Sequence, residues 1–174
     1  NDVALASPVT GYVGWKGDVD VWKLAIDGLA DGDGLDVAVT AVERVALTVE
    51  FTDAAGRRLV RQTGAAGAPV TLRSIAPRVA PGEPTVQYVK VSGAPPNPDA
   101  SYTLTIGSRL LELDEEAEPN DALDRANPLR FGAEDAGAMR GELGPGAVDR
   151  FALSPSPSFA TLDVVVEAPP GVEV

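Results

Sequence analysis

The chain has 174 residues, 44% of them hydrophobic, which is enough to bury the core of one ordinary domain or of one domain and part of another. Its net charge of −12 argues against partners that require clustered Lys and Arg, namely nucleic acid and anionic membrane surfaces. The absence of cysteine and histidine excludes disulfides, thiolate chemistry and the usual general base of a Ser-His-Asp arrangement.

Period-two alternation of apolar residues recurs along the chain and predicts short β-strands. It covers residues 22–26, 35–41, 45–51 and 102–106, and residues 86–91 form a further predicted strand. No helical stripe of about ten residues or more is present. We therefore predict an all-β fold, an antiparallel β-sandwich of jelly-roll-like type. We expect these side chains in its core: Trp22, Leu24, Ile26, Leu35, Val37, Val39, Leu47, Val49, Leu104 and Ile106.

Turn-forming residues separate the predicted strands. Residues 53–56, Asp-Ala-Ala-Gly, predict a hairpin turn that leads into a strand at 58–62. The stretch 64–69 is small and flexible, whereas 93–100, GAPPNPDA, is rich in proline and predicts a stiff turn rather than a strand. No apolar run approaches the roughly 18 residues of a membrane-spanning helix, so we expect no membrane insertion.

Several segments recur in the same order, which indicates an internal repeat. The dipeptide Asn-Asp, a short apolar run and Ala-x-Pro open the chain and recur from Asn120. Further on, GYVGWKGDVDVWKL has a partner in GELGPGAVDRFAL, which aligns Asp20 with Asp149 and Trp22 with Phe151. Later still, LDVAV has a partner in LDVVV.

The repeat predicts a division of the chain. Residues 1–111 form the first sandwich repeat, residues 112–117 an acidic linker, and residues 118–174 the first half of a second, similar module. An incomplete sandwich leaves a sheet edge unpaired and part of its core face uncovered. We therefore expect self-association through the incomplete repeat, by strand pairing between two copies.

The pattern EPND…A.PL, followed by G.L and then D.D.[FW], resembles the bacterial pre-peptidase C-terminal domain. The later copy has the full start, Glu118-Pro119-Asn120-Asp121, and has Ala147 where the family often has an acid. The earlier copy keeps GDVDVW but begins at Asn1 and so lacks the Glu-Pro. The resemblance covers nearly the whole chain, twice.

The resemblance implies a β-sandwich module of the kind attached to secreted proteases and other exported proteins. It implies a secreted or cell-surface location, and because the chain begins at Asn1 without Met, we expect an export signal upstream. Some members of the family bind calcium through the acidic start, so the resemblance also implies a calcium site here.

The acidic start offers the oxygen ligands that calcium requires, six to eight of them in most sites. All-oxygen ligands and the absence of His favour calcium over zinc or copper. The alternative is that Asn and Asp cap a helical turn within a solvated acidic linker. For calcium, we predict a site where this segment meets the following strand, with these ligands: Glu116, Glu118, Asn120, Asp121 and Asp149.

The first repeat offers a smaller set of candidates. Asp2, Asp18 and Asp20 correspond to the second set, but the upstream glutamates are missing, so we expect a weaker or empty metal site. A carboxylate pair spaced as Asp18 and Asp20 serves acid–base catalysis in glycosidases, but nothing else in the sequence supports that role. Trp15 lies in a Gly-rich turn and is a candidate contact for a protein or polysaccharide ligand, whereas Trp22 is expected in the core.

Three hypotheses about the function follow from these features. The first is a non-catalytic accessory or binding module of an exported bacterial protein, stabilised by calcium and attached to a secreted protease. The second is a structural spacer repeat of a cell-surface or adhesive protein. The third, an enzyme, is the least favoured, because the sequence has no His, no Cys and no nucleophile motif.

Overall fold

The computed structural model describes residues 1–30, 32–77, 84–131, 136–142, 148–154, 161–168 and 170. None of these residues is α-helical, and the one 3₁₀ helix among them is Leu123–Arg125. The strands are β1 (Asp2–Val3), β2 (Val9–Val13), β3 (Val19–Ala25), β4 (Asp33–Val39), β5 (Ala46–Thr52), β6 (Arg58–Thr63), β7 (Val70–Ile75), β8 (Val86–Ala94), β9 (Asn97–Leu110), β10 (Asn127–Leu129) and β11 (Phe151–Leu153).

Two sheets make up the main body. One has five strands in the order β1-β3-β8-β5-β6, and the other has four in the order β2-β9-β4-β7. All neighbours in these sheets are antiparallel except β1 and β3. A separate parallel pair is formed by β10 and β11. The prediction of an all-β, antiparallel sandwich is confirmed.

The core lies between the two sheets and consists of the alternate residues of their strands. In β4, Leu35, Val37 and Val39 are at most 1% exposed, whereas Ala38 between them faces solvent. Side chains from both sheets join one hydrophobic cluster. Each of the side chains predicted for the core is buried, so that prediction is confirmed.

The predicted hairpin turn between β5 and β6 is present. The N–H of Gly56 donates to the carbonyl of Asp53 over 3.0 Å, and the N–H of Arg57 donates to Asp53 Oδ1 over 2.8 Å. Gly56 has φ +78°, a conformation that glycine adopts without strain. This turn sets the pairing of β5 with β6.

The proline-rich stretch 93–100 was predicted as a turn, but most of it belongs to strands β8 and β9. Strand β8 continues to Ala94 and β9 already begins at Asn97, so only the two prolines between them form the turn. Proline is tolerated at strand ends and bulges, because a missing N–H costs little where pairing is irregular. The register between β2 and β9 shifts at this point, between Tyr12 and Val13.

Residues 112–120, here called the acidic segment, run along the edge of the four-stranded sheet. The N–H of Glu118 donates to the carbonyl of Ser74 over 2.8 Å, and the N–H of Ala76 donates to the carbonyl of Glu118 over 2.7 Å. These bonds attach the segment to the end of β7. The division into a first repeat, an acidic linker and an incomplete second repeat stays a prediction.

Residues 162–166, which the sequence aligns with β4, lie in a different environment. Four of their side chains are 41–80% exposed, and no strand is assigned there. Self-association through this part of the chain stays a prediction. The exposed residues are Leu162, Val164, Val165 and Val166.

Candidate metal site

The site is built on an extended segment that is hydrogen-bonded on both sides. On one side lies β7, through the backbone bonds of Glu118 described above. On the other side, the N–H of Glu116 donates to the carbonyl of Arg140 over 2.9 Å, and the N–H of Arg140 donates to the carbonyl of Asp114 over 2.6 Å. Alternate side chains of an extended segment point in opposite directions, so Glu116 and Glu118 share one side.

Three carboxylates meet at this place. Oxygen atoms of Glu116, Glu118 and Asp149 all lie within 4.8 Å of one another. Asn120 joins them, because its Nδ2 donates to Glu116 Oε2 over 3.2 Å and its N–H donates to Glu118 Oε2 over 3.1 Å. Glu116 is 3% exposed and Asn120 is fully buried, whereas Glu118 and Asp149 are half-buried.

Two oxygen atoms of this group lack hydrogen-bond partners. Asn120 Oδ1 and Asp149 Oδ1 are buried, and neither accepts a hydrogen bond in the structure. A buried polar atom without a partner costs about 1–3 kcal/mol. A cation ligated by these oxygens would remove that cost.

The electrostatics of the group oppose its ionisation. Burial raises the pKa of Glu116 to about 7, and the charges of Asp149 and Glu118 act in the same direction. Burial also raises the pKa of Glu118 and that of Asp149 above their ordinary values. Carboxylates held together in this way require a proton or a cation to offset their repulsion.

A glycine allows the backbone to approach the cluster. A Cβ at Gly141 would collide with the carboxylate of Glu116. With no side chain at this position, the next N–H, that of Glu142, donates to Glu116 Oε1. Gly141 belongs to the repeated glycine motif, but the sequence alone did not identify it as part of the site.

The remaining predicted ligand of the second repeat lies outside the group. The side chain of Asp121 is exposed, and its carbonyl accepts a hydrogen bond from Arg150 Nε over 2.8 Å. The alternative capping role is not observed for Asn120 or Asp121, because the 3₁₀ helix has Ala122 at its N-cap and no side-chain cap. Ala147 lies outside the described residues.

The candidates of the first repeat are not brought together as a metal-sized group within the part of the chain that the structure describes. Asp2 is exposed on β1. Asp18 is buried and its Oδ2 accepts the N–H of Gly14 over 2.7 Å, which closes the turn between β2 and β3. That Asp18 carboxylate therefore has a structural partner within the protein.

Asp20 takes part in a hydrogen-bonded chain with two aromatic residues. The hydroxyl of Tyr102 donates to Asp20 Oδ2 over 2.5 Å and accepts the indole N–H of Trp22 over 3.0 Å. Burial raises the pKa of Tyr102, and the hydrogen bond to Asp20 raises it further. Donors of the protein thus serve the Asp20 carboxylate, whereas Asp149, its aligned partner, keeps an oxygen without a donor.

The two tryptophans lie in contrasting environments. Trp22 is 7% exposed, as predicted for a core residue, whereas Trp15 is 67% exposed in the turn between β2 and β3. Tyr12, at the end of β2, is 52% exposed. A ligand-binding role for Trp15 stays a prediction.

A second polar group beside the site was not predicted from the sequence. Arg109 Nη1 donates to Glu115 Oε2 over 2.7 Å, and its Nε donates to Asp36 Oδ2 over 3.1 Å. Hydrogen bonds from Arg109 hold the pKa of Glu115 at about 2. The residues come from β9, β4 and the acidic segment, so no spacing in the sequence reveals their contact.

The site opens into a cleft of about 1170 Å³. Its lining includes residues of β6 and β7, such as Arg58 and Arg73, as well as Glu116, Glu118 and Asp149. The carboxylates of the site therefore border solvent-accessible space. Among the described residues, no helix is long and apolar enough to cross a membrane.

A comparison with solved structures finds a similar domain. No protein-family model matches the sequence, and no curated protein matches it. The chain is similar to a solved structure, the pre-peptidase C-terminal domain of collagenase from Bacillus anthracis, with 13% identity and a TM-score of 0.43. The match covers 61% of this chain and 92% of that chain.

Proposed function

We propose that this chain is a non-catalytic accessory module of an exported bacterial protein, and that one calcium ion stabilises it. The ion would be held by the carboxylates of Glu116, Glu118 and Asp149 and by the amide oxygen of Asn120. The observation that carries the proposal is the close group of three carboxylates together with the buried, unpartnered Asn120 Oδ1.

The chemistry of the ligands favours calcium over other metals. Every candidate ligand is a hard oxygen, and the chain contains no His or Cys to hold a transition metal. Calcium tolerates irregular geometry and completes its shell with carbonyls and water, which the open cleft supplies. Extracellular modules bind calcium with dissociation constants of about 10⁻⁴–10⁻³ M, which suits a secreted or cell-surface protein.

The non-catalytic role is supported by the sequence composition. With no His and no Cys, the chain lacks the residues that most often act as general base or thiol nucleophile. The carboxylates of Asp18 and Asp20 already accept hydrogen bonds from Gly14 and Tyr102. We therefore assign the module to binding or positioning, next to a secreted protease, with Trp15 as the contact for a protein or polysaccharide ligand.

One observation favours the second candidate, a spacer repeat of a cell-surface protein. The acidic segment is hydrogen-bonded to β7 on one side and to Arg140 on the other, as expected of a rigid connection between successive modules. The neighbouring domains of the full protein distinguish the two roles. A protease domain beside this chain supports the accessory module, and a long array of the same repeat supports the spacer.

Thermal unfolding in millimolar calcium and in chelator tests the calcium site. At about 10 mM calcium, ten to a hundred times a dissociation constant of about 10⁻³–10⁻⁴ M, binding stabilises the fold by about 1.4–2.7 kcal/mol. For a chain of this size, the melting temperature should rise by roughly 3–10 °C. Asp149→Asn should lose most of this rise, whereas Asp121→Asn, the same change at an exposed carboxylate outside the group, should keep most of it. No rise in the wild type, or an equal rise in Asp149→Asn, would contradict the proposal.

A further inference from the structure

The candidate metal site draws its ligands from two parts of the chain that are held in different ways. Glu116, Glu118 and Asn120 lie on the acidic segment. Asp149 lies just before β11, and residues 140–142 approach Glu116. Both belong to the C-terminal part, residues 136–142 and 148–154. An ion bound at this site would therefore join two separate parts of the protein.

The acidic segment is fixed to the sandwich by a group of hydrogen bonds at Glu115, here called the clasp. Arg109 Nη1 donates to Glu115 Oε2 over 2.7 Å, and Ser74 Oγ donates to Glu115 Oε1 over 2.8 Å. Arg109 Nε also donates to Asp36 Oδ2, and the N–H of Ser74 donates to Asp36 Oδ1 over 2.9 Å. Arg109 Nη2 donates to Glu115 Oε1, so the guanidinium meets the carboxylate as a fork of two parallel donors, which fixes orientation as well as distance.

The clasp and the metal ligands lie on adjacent residues of an extended segment. Because the side chains alternate, Glu115 faces Arg109 on the sandwich while Glu116 faces Asn120 and the N–H of Glu142. The backbone bonds of Glu118 to β7 hold the other end of the segment. The positions of Glu116 and Glu118 are thus set by the contacts that Glu115 and Glu118 make with the sandwich.

The C-terminal part is joined to the acidic segment by the backbone hydrogen bonds of Arg140 and by ion pairs of its guanidinium with Glu112 and Asp114, but its direct contact with the sandwich is weaker. Its ion pair to the sandwich, Arg73 Nε to Glu142 Oε2 at 3.4 Å, joins side chains that are 62% and 69% exposed, so water and salt screen it. Asp149 must also approach Glu116 and Glu118 against like charge. A divalent cation changes this repulsion into attraction on both sides.

We propose that Arg109 is the positioning residue of the metal site, and that the bound cation locks residues 136–142 and 148–154 onto the sandwich. This inference rests on the proposed function, since it requires that calcium binds. It adds that the calcium affinity depends on a residue that touches no metal ligand, and that the ion controls how firmly the C-terminal part docks.

The affinity is tested by isothermal titration calorimetry with calcium chloride, on the 174-residue chain well below its melting temperature. Arg109→Gln should weaken calcium binding up to about tenfold, the lower end of the loss seen when direct hydrogen-bond partners of metal ligands are removed. Arg109→Lys keeps the charge but not the fork and should weaken it less. The control is Arg44→Gln, which removes an ion pair to Glu43 outside the cleft and should bind as the wild type does.

Docking is tested by hydrogen–deuterium exchange in calcium and in chelator. Calcium should slow the exchange of peptides from 136–142 and 148–154 about tenfold or more, and leave β4 and β9 unchanged. If Arg109→Gln does not fold, Glu115→Gln removes the other partner of the clasp and should weaken binding similarly. Wild-type affinity in the clasp variants, or calcium binding without slower exchange, overturns this inference and leaves the calcium site standing. No calcium binding in the wild type overturns both.

Discussion

The side chain of Asn120 has two roles at the candidate site, one for its amide nitrogen and one for its amide oxygen. Its amide nitrogen donates to Glu116 Oε2, while its amide oxygen is buried without a partner. A carboxylate at the same position could not donate, and an aliphatic side chain could neither donate nor ligate. The amide is therefore suited to a place where an acid must be held and a cation bound.

Asn120→Asp tests this double role. Without calcium, the variant brings a fourth carboxylate beside Glu116 and removes a donor, so the free energy of unfolding should fall by about 1–3 kcal/mol. With calcium, the new carboxylate is a stronger ligand, and most of the loss should be recovered. Chemical denaturation in chelator and in calcium measures both values. An equal loss in the two solutions would show that Asn120 has only a structural role.

Asp53, in the turn between β5 and β6, makes a pH-dependent contribution to the free energy of unfolding. Burial raises the pKa of Asp53, but hydrogen bonds from Arg57 outweigh burial, and the pKa lies below its ordinary value. A lowered folded-state pKa stabilises the protein above the unfolded-state pKa of about 3.9, and this stabilisation is lost as the pH falls through the folded-state value.

Asp53→Asn should therefore cost about 1–2 kcal/mol of unfolding free energy at pH 7, where Asp53 is ionised and accepts from Arg57. The difference between wild type and variant should shrink below about pH 4, because acid protonates the wild-type carboxyl. Urea denaturation at several pH values between 3 and 7 measures it. A difference that does not depend on pH would mean that the charge of Asp53 contributes nothing.

At the scale of strands, the period-two pattern predicted the core well. Burial on one face of a strand requires an apolar residue at every second position, and β4 and β5 show this directly in the sequence. Strands β2 and β7 were not predicted, since they are short and contain Gly11 or Arg73 within them. Their assignment depends on pairing with β9 and β4, which a local pattern does not contain.

The candidate site was predicted only in part for a similar reason. The acidic motif itself pointed to Glu116, Glu118 and Asn120. The repeat pointed to Asp149 through its alignment with Asp20. The clasp of Arg109 with Glu115 was not recognised, because it depends on the register of β4 against β9. The approach of residues 140–142 likewise results from folding rather than from any local signal.

Leu35→Ala tests the packing of the central strand. Leu35 is fully buried in β4, so the truncation should cost about 2–5 kcal/mol, which combines lost transfer free energy with the cavity left behind. The matched control is Leu110→Ala at the end of β9, where the side chain is 70% exposed and the change should stay within about 0.5 kcal/mol. Equal costs at the two positions would contradict the assignment of the core.

For the molecule as a whole, the uneven distribution of charge is the feature that most requires explanation. The net charge is −12, and residues 113–150 contain ten acids and only four bases. Three of these acids converge with partial burial, and the surrounding arginines pair with other acids, such as Arg140 with Glu112 and Asp114. Added monovalent salt screens exposed charges but reaches buried ones poorly, so a bound divalent ion is the more effective counter-charge.

Direct titration with calcium is the most direct test of the calcium site at Glu116, Glu118 and Asp149. Isothermal titration calorimetry on the wild type should show one ion per chain, with a dissociation constant of about 10⁻⁴–10⁻³ M. Magnesium should bind more weakly, because it demands near-ideal octahedral geometry. Glu116→Gln, which keeps the shape of the buried side chain and removes its charge, should weaken calcium binding at least about tenfold. The absence of calcium binding in the wild type, or equal binding in Glu116→Gln, would contradict the assignment of these carboxylates as a calcium site.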